Sequence, residues 1–124
     1  MPPTLREQNG QIILEFSADD PIQDASGLVG TALSASATVV VLPVSPLSPD
    51  LFRLRSGVAG ELVQKFVNYG VKLAILGDVS AHTAASSALR DFVYESNRGE
   101  AIWFVADRLA LDHRLESIAI RRHG

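Results

Sequence analysis

Two short segments collect residue types able to do chemistry, and a third collects types able to hold a partner. In Ser56-Gly57-Val58-Ala59-Gly60 a hydroxyl stands directly ahead of a glycine where a helical repeat begins. The first turn of a helix carries unpaired N–H groups and the positive end of the peptide dipole. A phosphate, a phosphoserine or another anion is stabilised there. Arg55 would add a cation, and Gly57 and Gly60 would let another backbone or a ligand approach. The plainer reading is a serine N-cap with glycines for close helix packing. The segment lacks the Gly-Lys-Ser/Thr of a P-loop, and it follows no strand directly, unlike a dinucleotide fingerprint.

Gly77-Asp78-Val79-Ser80-Ala81-His82 brings a carboxylate, a hydroxyl and an imidazole together after an apolar run. A hydrolase of the strand–turn–helix type needs its serine on a Gly-x-Ser-x-Gly elbow and its histidine from elsewhere in the fold, and neither is present. A turn with incidental polar residues is the simpler account, with Asp78 as a loop carboxylate that bonds its own turn. His82, His113 and His123 show no ligand spacing, and no paired carboxylates share a helix face, so no metal is expected. Arg90-Asp91 and Tyr94-Glu95-Ser96-Asn97-Arg98 form a dense polar stretch. It reads as a solvated face or as a recognition surface, since Tyr and Arg are favoured at binding hot spots.

The elements that must position these residues alternate strand and helix. Four apolar strands are expected at residues 12–16, 38–42, 72–76 and 101–105, on one mostly parallel sheet flanked by helices. We expect the order 2-1-3-4, with the first and third as neighbours and 72–76 internal. Asn9-Gly10 suits a tight turn with positive φ at both positions, which would add a short N-terminal hairpin strand. Asp20-Pro21-Ile22-Gln23 starts a first helix whose buried face is Ile22, Ala25, Leu28, Val29, Ala32 and Leu33. A proline-rich stretch from Pro43 to Pro49 reads as loop. Residues 58–69 form the clearest helix, burying Val58, Ala59, Leu62, Val63, Phe66 and Val67, with Gly70 at its left-handed end. Residues 79–87 read as loop, followed by a helix with Leu89, Phe92 and Val93 inward and a stop at Asn97-Arg98-Gly99. Asp107 caps a last helix through about Leu115, with 116–124 as a tail. Loops at the C-terminal strand ends share one edge, where ligands of such sheets bind. That edge would carry Ser45, Asp50, Arg53, Arg55, Ser56, Asp78, Ser80 and His82.

The totals narrow the function classes. A chain of 124 residues is one domain, and 47% hydrophobic with 20% charged residues is ordinary globular chemistry. Cysteine is absent, which removes disulfides, thiolate metal sites and cysteine nucleophiles and suits a cytoplasmic setting. The opening residues show no apolar core behind a basic start, so no signal peptide is expected. The longest apolar runs fall far short of the roughly 20 residues that cross a bilayer. Net charge is -3 with both signs interspersed, so nucleic acid, which needs a basic stripe, is not an expected partner.

Three stretches carry a family resemblance. They are Gly57-Val58-Ala59-Gly60-Glu61-Leu62-Val63-Gln64-Lys65-Phe66-Val67-Asn68-Tyr69, Lys72-Leu73-Ala74-Ile75-Leu76-Gly77-Asp78 and Leu89-Arg90-Asp91-Phe92-Val93-Tyr94-Glu95-Ser96-Asn97-Arg98-Gly99. Through them the chain resembles the bacterial domain-of-unknown-function family 4180 from about Gly10 to Leu111, a likeness that implies no activity. The hairpin, the strand–helix order and Ser56-Gly57 are also similar to STAS domains, the fold of anti-sigma-factor antagonists. Those domains carry a phosphorylatable serine before glycine at the corresponding helix start. Here Leu54-Arg55 replaces the acidic residue that usually precedes it. That likeness implies a non-enzymatic regulatory or protein-interaction module with a protein partner, switched by charge at Ser56. The alternative is a small-anion or nucleotide site at Arg55-Ser56-Gly57, and a hydrolase using Asp78, Ser80 or His82 stands third. No cofactor and no membrane is expected, and self-association is compatible with this reading.

Overall fold

The computed structural model describes residues 3–17, 25–44 and 58–123, without the side chains of residues 25, 58, 59 and 118–123. A five-stranded mixed sheet lies between helices. β1 (Thr4–Gln8) and β2 (Gln11–Glu15) form an antiparallel hairpin. Its turn is the expected Asn9-Gly10 pair, at φ 52° and 80°. β3 (Val39–Pro43), β4 (Lys72–Leu76) and β5 (Ile102–Val105) then follow in parallel. Helices α1 (Ala25–Ser34), α2 (Val58–Tyr69), α3 (Ser80–Ala85), α4 (Ser87–Arg98) and α5 (Arg108–His123) alternate with them.

The strand order is β1-β2-β3-β4-β5, which corrects the expected 2-1-3-4. The strand at residues 38–42 lies between its neighbours in sequence, and 72–76 is internal as expected. The reason lies in the two faces. Right-handed crossovers that always step the same way leave every crossover helix on one side of the sheet. Leu28, Val29 and Ala32 of α1, Leu62 and Phe66 of α2 and Phe92 of α4 all pack with Leu14, Val40, Leu42, Leu73 and Ile75. The alternate strand residues Ile13, Val39, Val41, Ala74, Trp103 and Val105 face the other way and are covered by Leu111 and Leu115 of α5. The strands are therefore apolar on both faces without a reversal of direction, because the last helix folds back over the open side.

Local chemistry accounts for the remaining differences. Pro43 closes β3 instead of following it. Alternate residues of a strand bond to alternate neighbours, and Val41 accepts from Phe16 N–H at 2.9 Å while Val44 N–H donates to Leu76 at 3.0 Å. The missing N–H of Pro43 thus falls on the β2 side, just past the Phe16 bond, and the ladder between β2 and β3 stops there. Two residues assigned to buried faces are half exposed, Leu33 at 48% and Val67 at 55%. Leu28, Val29, Leu62 and Phe66 are buried as expected. Gly70 ends α2 at φ 68°. The helix start read at Asp20-Pro21-Ile22-Gln23 lies outside the described residues. Helix α5 begins after Asp107, whose carboxylate accepts Ala110 N–H at 2.9 Å, and continues past Leu115 to His123.

Candidate functional site

The parallel strands end together at one edge of the sheet, and two constellations form there. The first is closed. Glu15, the last residue of β2, is only 13% exposed and lies between two guanidinium groups. Arg6 donates to its Oε1 at 2.6 Å from the paired strand. Arg108, in the first turn of α5, donates to both carboxylate oxygens. The hydrogen bond from Arg108 is the main reason the Glu15 carboxyl is held below its ordinary 4.5. Burial opposes this, and Arg6 adds to it. With both oxygens engaged, this cluster fastens hairpin to α5 and leaves no open ligand position among these three residues. Gln8 on β1 adds a hydrogen bond to Asp112 at 3.0 Å.

The closed cluster has a measurable pH signature. Glu15→Gln is expected to lose about 1–3 kcal/mol at neutral pH, because the charge-assisted bonds go and two partly covered guanidiniums lose their counter-ion. In the unfolded chain Glu15 takes up its proton near 4.5, whereas the folded chain resists protonation to lower pH. Between those values the unfolded state binds more protons, so this stabilisation is complete above the unfolded pKa and fades as pH falls through the folded one. Urea titrations of both proteins from pH 7 downward should show the gap shrinking below pH 4.5. A gap that stays constant into acid would rule out the ion cluster as its source.

The second constellation is open. β4 ends at Gly77, whose N–H bonds to Val105 at 2.9 Å and whose φ is 142°. A Cβ on Gly77 would lie 2.9 Å from Val44 Cγ2, so the ends of β3 and β4 approach each other in a way that only glycine permits. Asp78 follows and accepts Ser80 N–H at 2.8 Å, the self-bonded turn expected for it. Hydrogen bonds from the Ser80 side chain first and its backbone second hold the exposed Asp78 carboxyl below its usual value. The stretch read as loop then forms α3, a short helix with no buried residue. Its alanines are strong helix formers, which the reading of 79–87 underweighted. Ser86 caps α4 by accepting Leu89 N–H at 3.1 Å.

Helix α4 faces this turn across a cleft of about 400 Å³. Asp78, Ser80 and Thr83 line it from the turn and α3, and Arg90, Tyr94 and Asn97 line it from α4. Val93, Phe104 and Ala106 add apolar surface. Tyr94 is 62% exposed, and the Arg98 guanidinium sits 5.7 Å from its ring centre. Asn97 has a structural task as well. Its Oδ1 accepts Phe104 N–H at 2.7 Å on the edge strand β5, and Arg114 donates to its carbonyl. An outward N–H of an edge strand invites pairing with another chain, and Asn97 blocks it.

Of the residues singled out in the sequence, Asp78 and Ser80 enter the cleft, while His82 lies exposed on α3 and is not part of its lining. Gly60 is exposed in the first turns of α2, and a Cβ there would meet nothing within 4 Å, so close packing does not account for it. Arg55, Ser56 and Gly57, with Ser45, Asp50 and Arg53, lie outside the described residues. The sequence places Thr83 in a loop, Arg90, Tyr94 and Asn97 in a polar stretch that reads as either a solvated face or a recognition surface, and Asn97 also in the helix stop. The available signal was the four-residue spacing of Arg90 and Tyr94, which puts both on one helix face. Among the described residues no group of three or more His, Asp or Glu could hold a metal ion, and no helix is long and apolar enough to cross a membrane.

Comparison with known families agrees with the three motif stretches. The model of the domain of unknown function DUF4180 matches residues 8–115. The chain belongs to this family. The matched span contains both constellations at the sheet edge except for Arg6. No curated protein and no solved structure matches the chain.

Proposed function

We propose that this DUF4180 domain is a non-catalytic regulatory or protein-interaction module whose recognition surface is the open cleft between the β4–α3 turn and α4. The observation that carries this reading is the exposed Tyr94, backed by Arg98 and flanked by Arg90, at the strand-end edge where parallel sheets bind their ligands. Tyr and Arg contribute large contact area and directed hydrogen bonds, and both are enriched at hot spots. A hairpin followed by repeated strand–helix steps is in keeping with the STAS-like resemblance, and a cytoplasmic setting belongs to the same proposal. Arg55-Ser56-Gly57 precede helix α2 in the sequence, and a charge switch or small-anion site there is a secondary element of the proposal.

The test uses partner capture followed by substitution. A protein recovered with the wild-type chain should be lost with Tyr94→Ala at an unchanged unfolding midpoint. Ser56→Asp and Ser56→Ala should then differ in affinity for that protein. Retention of the partner by Tyr94→Ala would remove the cleft from the recognition surface. Equal affinities of the two Ser56 variants, with only about 1 kcal/mol lost by Ala, would leave Ser56 as a helix cap.

A further inference from the structure

We infer that the cleft takes a segment of the partner carrying both charge signs, a Lys or Arg side chain for Asp78 and a carboxylate for Arg90, with an apolar side chain between them on Val93 and Phe104. This rests on the reading of the cleft as the recognition surface and adds the chemistry of what enters it. Three observations lead to it.

First, the lining is charge-balanced and unpaired within itself. Asp78 and Arg90 both line the cleft, and neither forms an ion pair among the described residues. Glu15 pairs with Arg6 and Arg108, and Arg98 pairs with Glu95 on the same helix as Arg90. One carboxylate and one guanidinium in the lining of the same cleft, carried by different elements, match a ligand of near-zero net charge. A phosphate dianion would meet a single cation and be repelled by Asp78.

Second, the two charges are presented differently. Asp78 is fixed by Ser80, so one carboxylate face is committed to the turn and the remaining lone pairs point away from it. Arg90 is exposed on a capped helix and presents a planar donor fork suited to a carboxylate. Third, the same lining carries apolar surface from Val93, Phe104 and Ala106. Phe104 is held at 6.0 Å from Phe92 in an edge-to-face pair, so the floor is packed before anything binds. The cleft is open along one side, which suits a chain segment passing through it better than a small molecule that must be mostly enclosed.

The test is a titration of the isotope-labelled full chain, followed by amide NMR, with acetylated and amidated tripeptides. Lys-Leu-Glu is compared with the neutral Gln-Leu-Gln and with the two singly charged analogues. Lys-Leu-Glu should shift amides of residues 77–83, 90–97 and 104–106 and bind at least tenfold more tightly than Gln-Leu-Gln. Asp78→Asn, which keeps the turn acceptor, should erase the advantage of the lysine only. Arg90→Gln should erase the advantage of the glutamate only. Equal binding of all four peptides in the cleft overturns the charge pairing while leaving the cleft as the recognition surface. Shifts confined to other residues, or none at millimolar peptide, overturn the inference and the choice of surface together.

Discussion

Phe66→Ala is expected to cost about 3–5 kcal/mol, the largest effect of any single truncation considered, because a fully buried aromatic leaves both a transfer loss and a cavity. Phe66 has no accessible surface and belongs to the cluster that joins α1, α2 and the crossover face of the sheet. Its carbonyl also accepts Val71 N–H at 3.1 Å, so it stands where α2 turns into β4. The cluster around it draws on α1, α2 and strands β2 to β5, and collapse around the void would require several of them to shift. Denaturant unfolding should show the midpoint falling with an unchanged slope. A midpoint near wild type would mean that α2 is rotated from the phase described here.

Gly77→Ala is expected to cost about 2–5 kcal/mol, by strain at a positive φ and by overpacking against Val44. Valine is stiff at χ1, so the methyl 2.9 Å from the added Cβ has no easy way to swing aside. The two contributions separate in a double-mutant cycle with Val44→Ala. Removing the valine methyls relieves the clash and leaves the backbone strain, so the pair should show a favourable coupling of about 0.5–2 kcal/mol. Strict additivity would assign the whole cost to φ. The same residue starts the Asp78 turn, so Gly77→Ala should also weaken Lys-Leu-Glu binding under conditions where the variant remains folded.

Elements formed by short-range chemistry were legible in the residues. Asn9-Gly10 states its turn because only such pairs tolerate positive φ twice. Residues 58–69 announce a helix by the spacing of Leu62 and Phe66, and the structure has a helix over that span and ends it at Tyr69. Asp78, Asp107 and Gly70 fulfil the local roles their types suggest. Each of these depends on atoms within a few residues, so the sequence order contains the whole cause. Leu33 and Val67 were assigned too far inward because helical spacing gives the direction of a face but not how far a neighbour reaches across it.

The family was likewise readable in three contiguous motifs, and the alternation of elements determined an α/β sheet with helices. Tertiary structure alone decided the strand order, the covering of the second face and the two constellations at the sheet edge. The order turns on α5: strands apolar on both sides demand two covers, and only the folded chain shows that Leu111 and Leu115 supply the second. The Glu15–Arg108 bond spans 93 residues and has no local precursor in either segment. The cleft exists because α3 packs on α4 while α4 leans on β5 through Asn97 and the Phe92–Phe104 pair, each an ordinary polar or apolar residue until that packing joins them. Such contacts depend on the free energy of the assembled layers, which no window of sequence contains, and they bring Asp78 and Arg90 to one cleft.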